Sequence, residues 1–164
     1  MTSAATALLR DRSALSDVLA TGCVAAVVSG VPSTAHAILT RQSPLDASLA
    51  AGTLLLGDGE QRASRLLPAA ATAHIALSLG WALVLAALLP RRRPATWAAA
   101  AGLAIAALDL GVVGRRFPRI RALPLAPQIA DHVAYAVTVA VVLRRRRERS
   151  AFSSPRDRRP RPLR

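Results

Sequence analysis

The sequence predicts an all-α fold, an integral membrane bundle of four transmembrane helices with a short interfacial helix between the first and second. Three observations lead there. Four apolar runs, 15–39, 66–89, 95–114 and 125–143, each approach the roughly 20 residues a helix needs to cross the ~30 Å hydrocarbon core. Hydrophobic residues make up 52% of the chain and the mean hydropathy is +0.34, more than a soluble domain of this size usually carries. The arginines gather between the runs and after the last one, not inside them.

The elements follow in order. Residues 1–14 are a short polar N-terminus with Arg10 and Arg12, expected to be cytoplasmic. Span one contains Gly30 and Pro32. Its Cys23 follows Leu19-Ala20-Thr21-Gly22, which superficially resembles a lipoprotein cleavage box. Asp17 interrupts that would-be signal and the apolar run continues as Val24-Ala25-Ala26-Val27-Val28, so span one is expected to stay in the protein. In the linker, 44–56 reads as the interfacial helix: Pro44 suits a first helical turn, and Gly57-Asp58-Gly59 stops it. Pro90-Arg91-Arg92-Arg93-Pro94 is a tight turn into span three, and 115–124 is the loop into span four. Residues 15–143 thus form the membrane domain, and 144–164 a basic cytoplasmic tail that Pro155, Pro160 and Pro162 mark as disordered.

All 22 basic residues are arginine, and with the abundance of alanine this matches the codon bias of a high-GC bacterial genome. Ten arginines fall in 144–164 against only Glu148 and Asp157. A basic tail suits nucleic acid, but arginines directly after an apolar run act as a stop-transfer anchor and meet anionic headgroups. The expected partners are therefore the lipid bilayer and its anionic headgroups, with a second copy or another membrane protein as further options, and not nucleic acid. With the N-terminus inside, fifteen arginines lie on the inner side and seven on the outer. That excess puts both termini in the cytoplasm of a multi-pass protein of a bacterial cytoplasmic membrane. Only five residues are Phe, Trp or Tyr, while small residues recur. Ala98, Gly102 and Ala106, four apart, suit close helix packing.

Every span carries polar residues that membranes tolerate only with partners. They are His36 in span one, His74 in span two, Asp109 in span three, and Asp131 and His132 in span four. All five fall in one half of the bilayer. Steps of three or four residues make stripes: Ser29, Ser33, His36 and Thr40; His74, Ser78 and Trp81; Gln128, Asp131, Tyr135 and Thr138. A charge at mid-bilayer costs about 2.5–3.5 kcal/mol on insertion scales, so these stripes are expected to turn inward. His132 lies about 100° around the helix from Asp131 and faces a different neighbour.

This layer has several readings. Imidazoles with carboxylates are a plausible ligand set for a transition metal, although no metal-ligand spacing is present. They also suit a proton or ion relay. The plainest reading is a hydrogen-bonded cluster that fixes helix register. The segment Gly30, Pro32, Ser33 is a possible helix break. Pro32 removes a backbone donor and frees a carbonyl one turn back, and Ser33 and Thr34 can re-satisfy freed groups. Such a break either lends carbonyls to a substrate or ion or is an ordinary proline kink.

No Walker loop, dinucleotide glycine motif, nucleophile elbow or Cys-x-x-Cys pair is present, so no catalytic residue and no cofactor are assigned. The segments 29–36 and Ser43-Pro44-Leu45-Asp46, with Leu108-Asp109-Leu110-Gly111 and Arg115-Arg116-Phe117-Pro118, resemble small uncharacterised multi-pass membrane proteins of high-GC Gram-positive bacteria. The resemblance covers most of 18–143 and implies a membrane class without an activity. The expectation is a small, non-enzymatic polytopic protein. The alternative is a proton- or ion-coupled transporter working through His36, His74, Asp109 and Asp131, with a metal-dependent membrane enzyme behind it.

Overall fold

In the computed structural model, which describes residues 12–90 and 92–152, the chain is helical with no strand among the described residues. Four helical stretches have the length and composition of membrane spans: Ser13–Leu39, Ala63–Leu88, Pro94–Arg116 and Leu125–Arg149. A shorter apolar helix, Asp46–Leu56, lies between the first and second. The fold is thus the four-span bundle that the apolar runs dictate.

Span one is two helices, α1 (Arg12–Ser29) and α2 (Val31–Leu39), parted at Gly30. Pro32 in the first turn of α2 has no N–H to give the Val28 carbonyl, and its ring crowds that carbonyl. The backbone ladder resumes when the Thr34 N–H reaches the Gly30 carbonyl at 3.1 Å. The interfacial helix α3 (Asp46–Leu56) ends at Gly57, whose φ of 76° is the left-handed conformation that glycine adopts without a Cβ penalty. It packs along the start of α4 (Ala63–Leu88), so closely that a Cβ on Gly52 would collide with the Leu66 backbone carbonyl. Span three is α5 (Pro94–Leu108), then a π-helical turn Asp109–Val113 and a 3₁₀ turn Gly114–Arg116. The short α6 (Pro118–Arg121) leads to α7 (Leu125–Phe152), which forms span four.

Span four is the hub. It packs against spans one, two and three, whereas span three packs chiefly on span four. The seam between spans three and four is the predicted small-residue stripe: Ala98, Gly102 and Ala106 are all buried. At Gly102 the backbones nearly touch, and a Cβ there would be 2.8 Å from both the His132 carbonyl oxygen and the Val133 Cα. The core joins Val18 and Ala25 of span one, Ala82, Leu85 and Ala86 of span two, Ala98 and Ile105 of span three, and Tyr135, Ala136, Val139, Ala140 and Leu143 of span four. Outside it, Val27, Leu39, Leu88, Trp97, Leu103 and Val141 are exposed apolar side chains. Apolar surface on every span is costly in water and neutral in lipid.

One boundary differs from the sequence expectation. The basic tail was expected to be disordered from residue 144, yet α7 runs through Phe152. Arginine is a good helix former, and Arg144 Nε donates to Glu148 Oε1 at 2.7 Å across one turn. The rest of the tail, 153–164, and most of the N-terminal segment, 1–11, lie outside the described residues.

Candidate functional site

The break in span one is tied from both sides. In an unbroken helix the Ser33 N–H would bond within span one. Here it donates to Asp131 Oδ1 of span four at 2.9 Å. The carboxylate therefore sits at the N-terminus of α2, where unpaired N–H groups and the positive end of the helix dipole favour an anion. On the other side lie the last carbonyls of α1, which the broken helix cannot serve in full. The Ala26 carbonyl accepts from His74 Nε2 of span two at 2.8 Å and from the Ser29 hydroxyl at 3.1 Å. A carbonyl oxygen only accepts, so His74 carries its hydrogen on Nε2. The two half-helix ends thus receive opposite partners from two other spans: an acceptor at the N-terminus and a donor at the C-terminus.

The second tie joins spans three and four. His132 Nδ1 is 2.7 Å from the Gln128 carbonyl oxygen one turn back. Its Nε2 is 3.4 Å from Asp109 Oδ2, with the two side chains 21% and 26% exposed. Asp109 opens the π turn, and its carbonyl accepts from the Gly114 N–H. The extra residue in that turn was not expected from the sequence; such π insertions occur often at functional positions. Asp131 and His132 are adjacent on span four yet bond to spans one and three, as their angular separation requires. Deeper in the bundle, the Tyr135 hydroxyl donates to the Ser78 carbonyl of span two, with both residues buried.

The predicted residues therefore fall into two groups rather than one. Asp131 with Ser33, and His74 beside them, surround the break; His132 and Asp109 make a separate pair. The His36 ring bonds to no other helix among the described residues, and its carbonyl accepts the Thr40 N–H at 2.9 Å. No three His, Cys, Asp or Glu side chains converge as a metal-binding group among the described residues. His74 is exposed rather than turned wholly inward; one interhelical hydrogen bond at the edge of the seam satisfies its donor.

Sequence reasoning missed the ties at the opposite end. Asp17, noted only as an interruption of a signal-like run, receives Arg146 Nη1 at 3.0 Å. Arg147 Nη2 donates to the Ala86 carbonyl at 3.3 Å. These contacts put the start of span one and the ends of spans two and four on one side. Matching the depth of Asp17 in span one with that of Arg146 in span four was the available signal. On the other side, Arg119 in α6 donates to Gln61 Oε1 in the linker. There Glu60 accepts the backbone N–H groups of Arg62 and Gln61, each at 2.9 Å, and pairs with Arg65 at 3.2 Å. The Arg62 N–H first, then the Gln61 N–H and Arg65, hold its carboxyl below the usual glutamate range. No family model, no curated protein and no solved structure matches this chain.

Proposed function

We propose that this chain is a small, non-enzymatic protein of a bacterial cytoplasmic membrane, with both termini cytoplasmic and its His/Asp layer holding the bundle together. One observation carries the reading: Asp131, His132 and His74 each end on a group of a neighbouring span, at 2.9, 3.4 and 2.8 Å. In hydrocarbon an unpaired polar group costs several kcal/mol, so side chains that end on a neighbouring span need no metal or substrate to account for them. The bilayer is the surrounding partner. The exposed Arg92, Arg93, Arg144 and Arg145 suit anionic headgroups, worth ~1 kcal/mol per arginine near the surface. A second copy or another membrane protein would seat on the lipid-facing surface; nucleic acid has no place in the reading.

A proton- or ion-coupled transporter is the second reading. It is favoured by the interruption of span one at Gly30, with Asp131 and His74 at its two ends, since broken helices form ion and substrate sites in transporters. Asp131→Asn separates the two. Its amide oxygen still accepts the Ser33 N–H, so a holding role predicts a folded, monodisperse variant, with Asp131→Leu destabilised. A coupling role predicts proton-driven flux in liposomes from the parent and none from Asp131→Asn. Reporter fusions at Arg149 test the orientation; activity only outside the cytoplasm would overturn it.

A further inference from the structure

We infer that His132 and Asp109 form a proton-binding site between spans three and four, which takes up and releases one proton as a unit. The Gln128 carbonyl, 2.7 Å from Nδ1, can only accept, so Nδ1 carries a hydrogen. A neutral imidazole has one N–H. Its Nε2 would then turn a bare lone pair toward Asp109 Oδ2 at 3.4 Å, acceptor against acceptor. One proton resolves the contact. On Nε2 it gives an imidazolium facing a carboxylate; on Oδ2 it gives a carboxylic acid facing a neutral imidazole. Either form is uncharged as a pair, whereas the empty pair is a lone carboxylate at membrane depth, which lipid disfavours.

The surroundings supply no substitute for that proton. On span four the nearest groups are the Gln128 carbonyl and Asp131, and Asp131 is turned to the Ser33 N–H of span one. His74 of span two bonds to Ala26. Arg115 and Arg116, in the 3₁₀ turn after Asp109, are exposed. At about one quarter exposed, the pair reaches the surface of the bundle. A hydronium ion delivers its proton to Nε2 or Oδ2 and leaves as water, the pair going from −1 to 0 with no other bond changed. Asp109 is the first residue of the π turn.

The test uses the full chain in lipid nanodiscs at neutral pH. Nitrogen-15 NMR of labelled histidines, assigned with His132→Asn, reads the ring. Infrared difference spectra, assigned with Asp109→Asn, read the carboxyl. The expected result is one proton on the pair: either both nitrogens of His132 protonated, or a protonated-carboxyl band that Asp109→Asn removes. In Asp109→Asn the side-chain amide donates to Nε2, and His132 is expected as the singly protonated Nδ1–H form. A parent protein with a bare Nε2 and an ionised Asp109 would overturn the proposal. The parent spectra decide this even where a variant fails to fold.

Discussion

Gly102→Ala adds one methyl group at the tightest point of the bundle. The new Cβ would lie 2.8 Å from the His132 carbonyl oxygen and the Val133 Cα, and 3.1 Å from the Val133 nitrogen. All three are backbone atoms of span four and cannot rotate aside. Ordinary contact distances are ~3.5–4.0 Å, so span three must retreat by roughly 0.7–1 Å. A gap of that size forfeits about a quarter to a half of the dispersion energy along the seam, which Ala98 and Ala106 share. Overpacking of this kind costs ~1–3 kcal/mol. The retreat also lengthens the 3.4 Å His132–Asp109 contact. Gly80→Ala is the control, because a Cβ there meets nothing within 4 Å. In a helix that exchange stabilises by ~0.5–1 kcal/mol. Alanine brings that gain at both helical sites, so the two variants should differ by the overpacking cost alone, ~2 kcal/mol or about thirtyfold in the unfolding equilibrium. Reversible denaturation in mixed micelles, or steric trapping in bilayers, measures this directly. Gly102→Ala as stable as Gly80→Ala would refute the close approach of spans three and four.

Asp109→Leu should lose ~1–3 kcal/mol by stranding His132, whereas Asp46→Leu, at the exposed start of α3, should lose less than ~1 kcal/mol; thermal unfolding in detergent compares them, and equal losses would count against the His132–Asp109 tie. A double-mutant cycle on Asp17→Asn and Arg146→Gln should give a coupling of ~0.5–1 kcal/mol that weakens with salt, as befits a partly exposed ion pair. Because the Glu60 carboxyl is held below its usual range, its contribution should be complete above the ordinary glutamate pKa and vanish as pH falls through the depressed value; a side-chain NMR titration of Glu60 against Glu60→Gln checks the sign. Removing residues 150–164 should leave the four spans inserted and folded, since the core ends at Leu143; loss of the monodisperse protein on truncation would contradict this.

Much of the fold was legible because a membrane demands long apolar helical stretches, and these runs have the required length and composition. The break at Gly30–Pro32, the stop at Gly57 and the small-residue seam at Ala98, Gly102 and Ala106 were legible for local reasons: a missing donor, a left-handed residue and missing side-chain bulk. The adjacency of Asp131 and His132 determined that they face different neighbours. Which neighbours was decided by tertiary packing alone, because periodicity fixes a residue's angle on its own helix but not the helix opposite. The chain carries His36 and His74 in similar polar stripes, yet only the packing gave His74 a carbonyl of span one and left the His36 ring outside the ties. The Asp17–Arg146 pair spans 129 positions, and no local pattern links residues so far apart. The π turn at Asp109 likewise leaves no periodic signal in the apolar run that contains it.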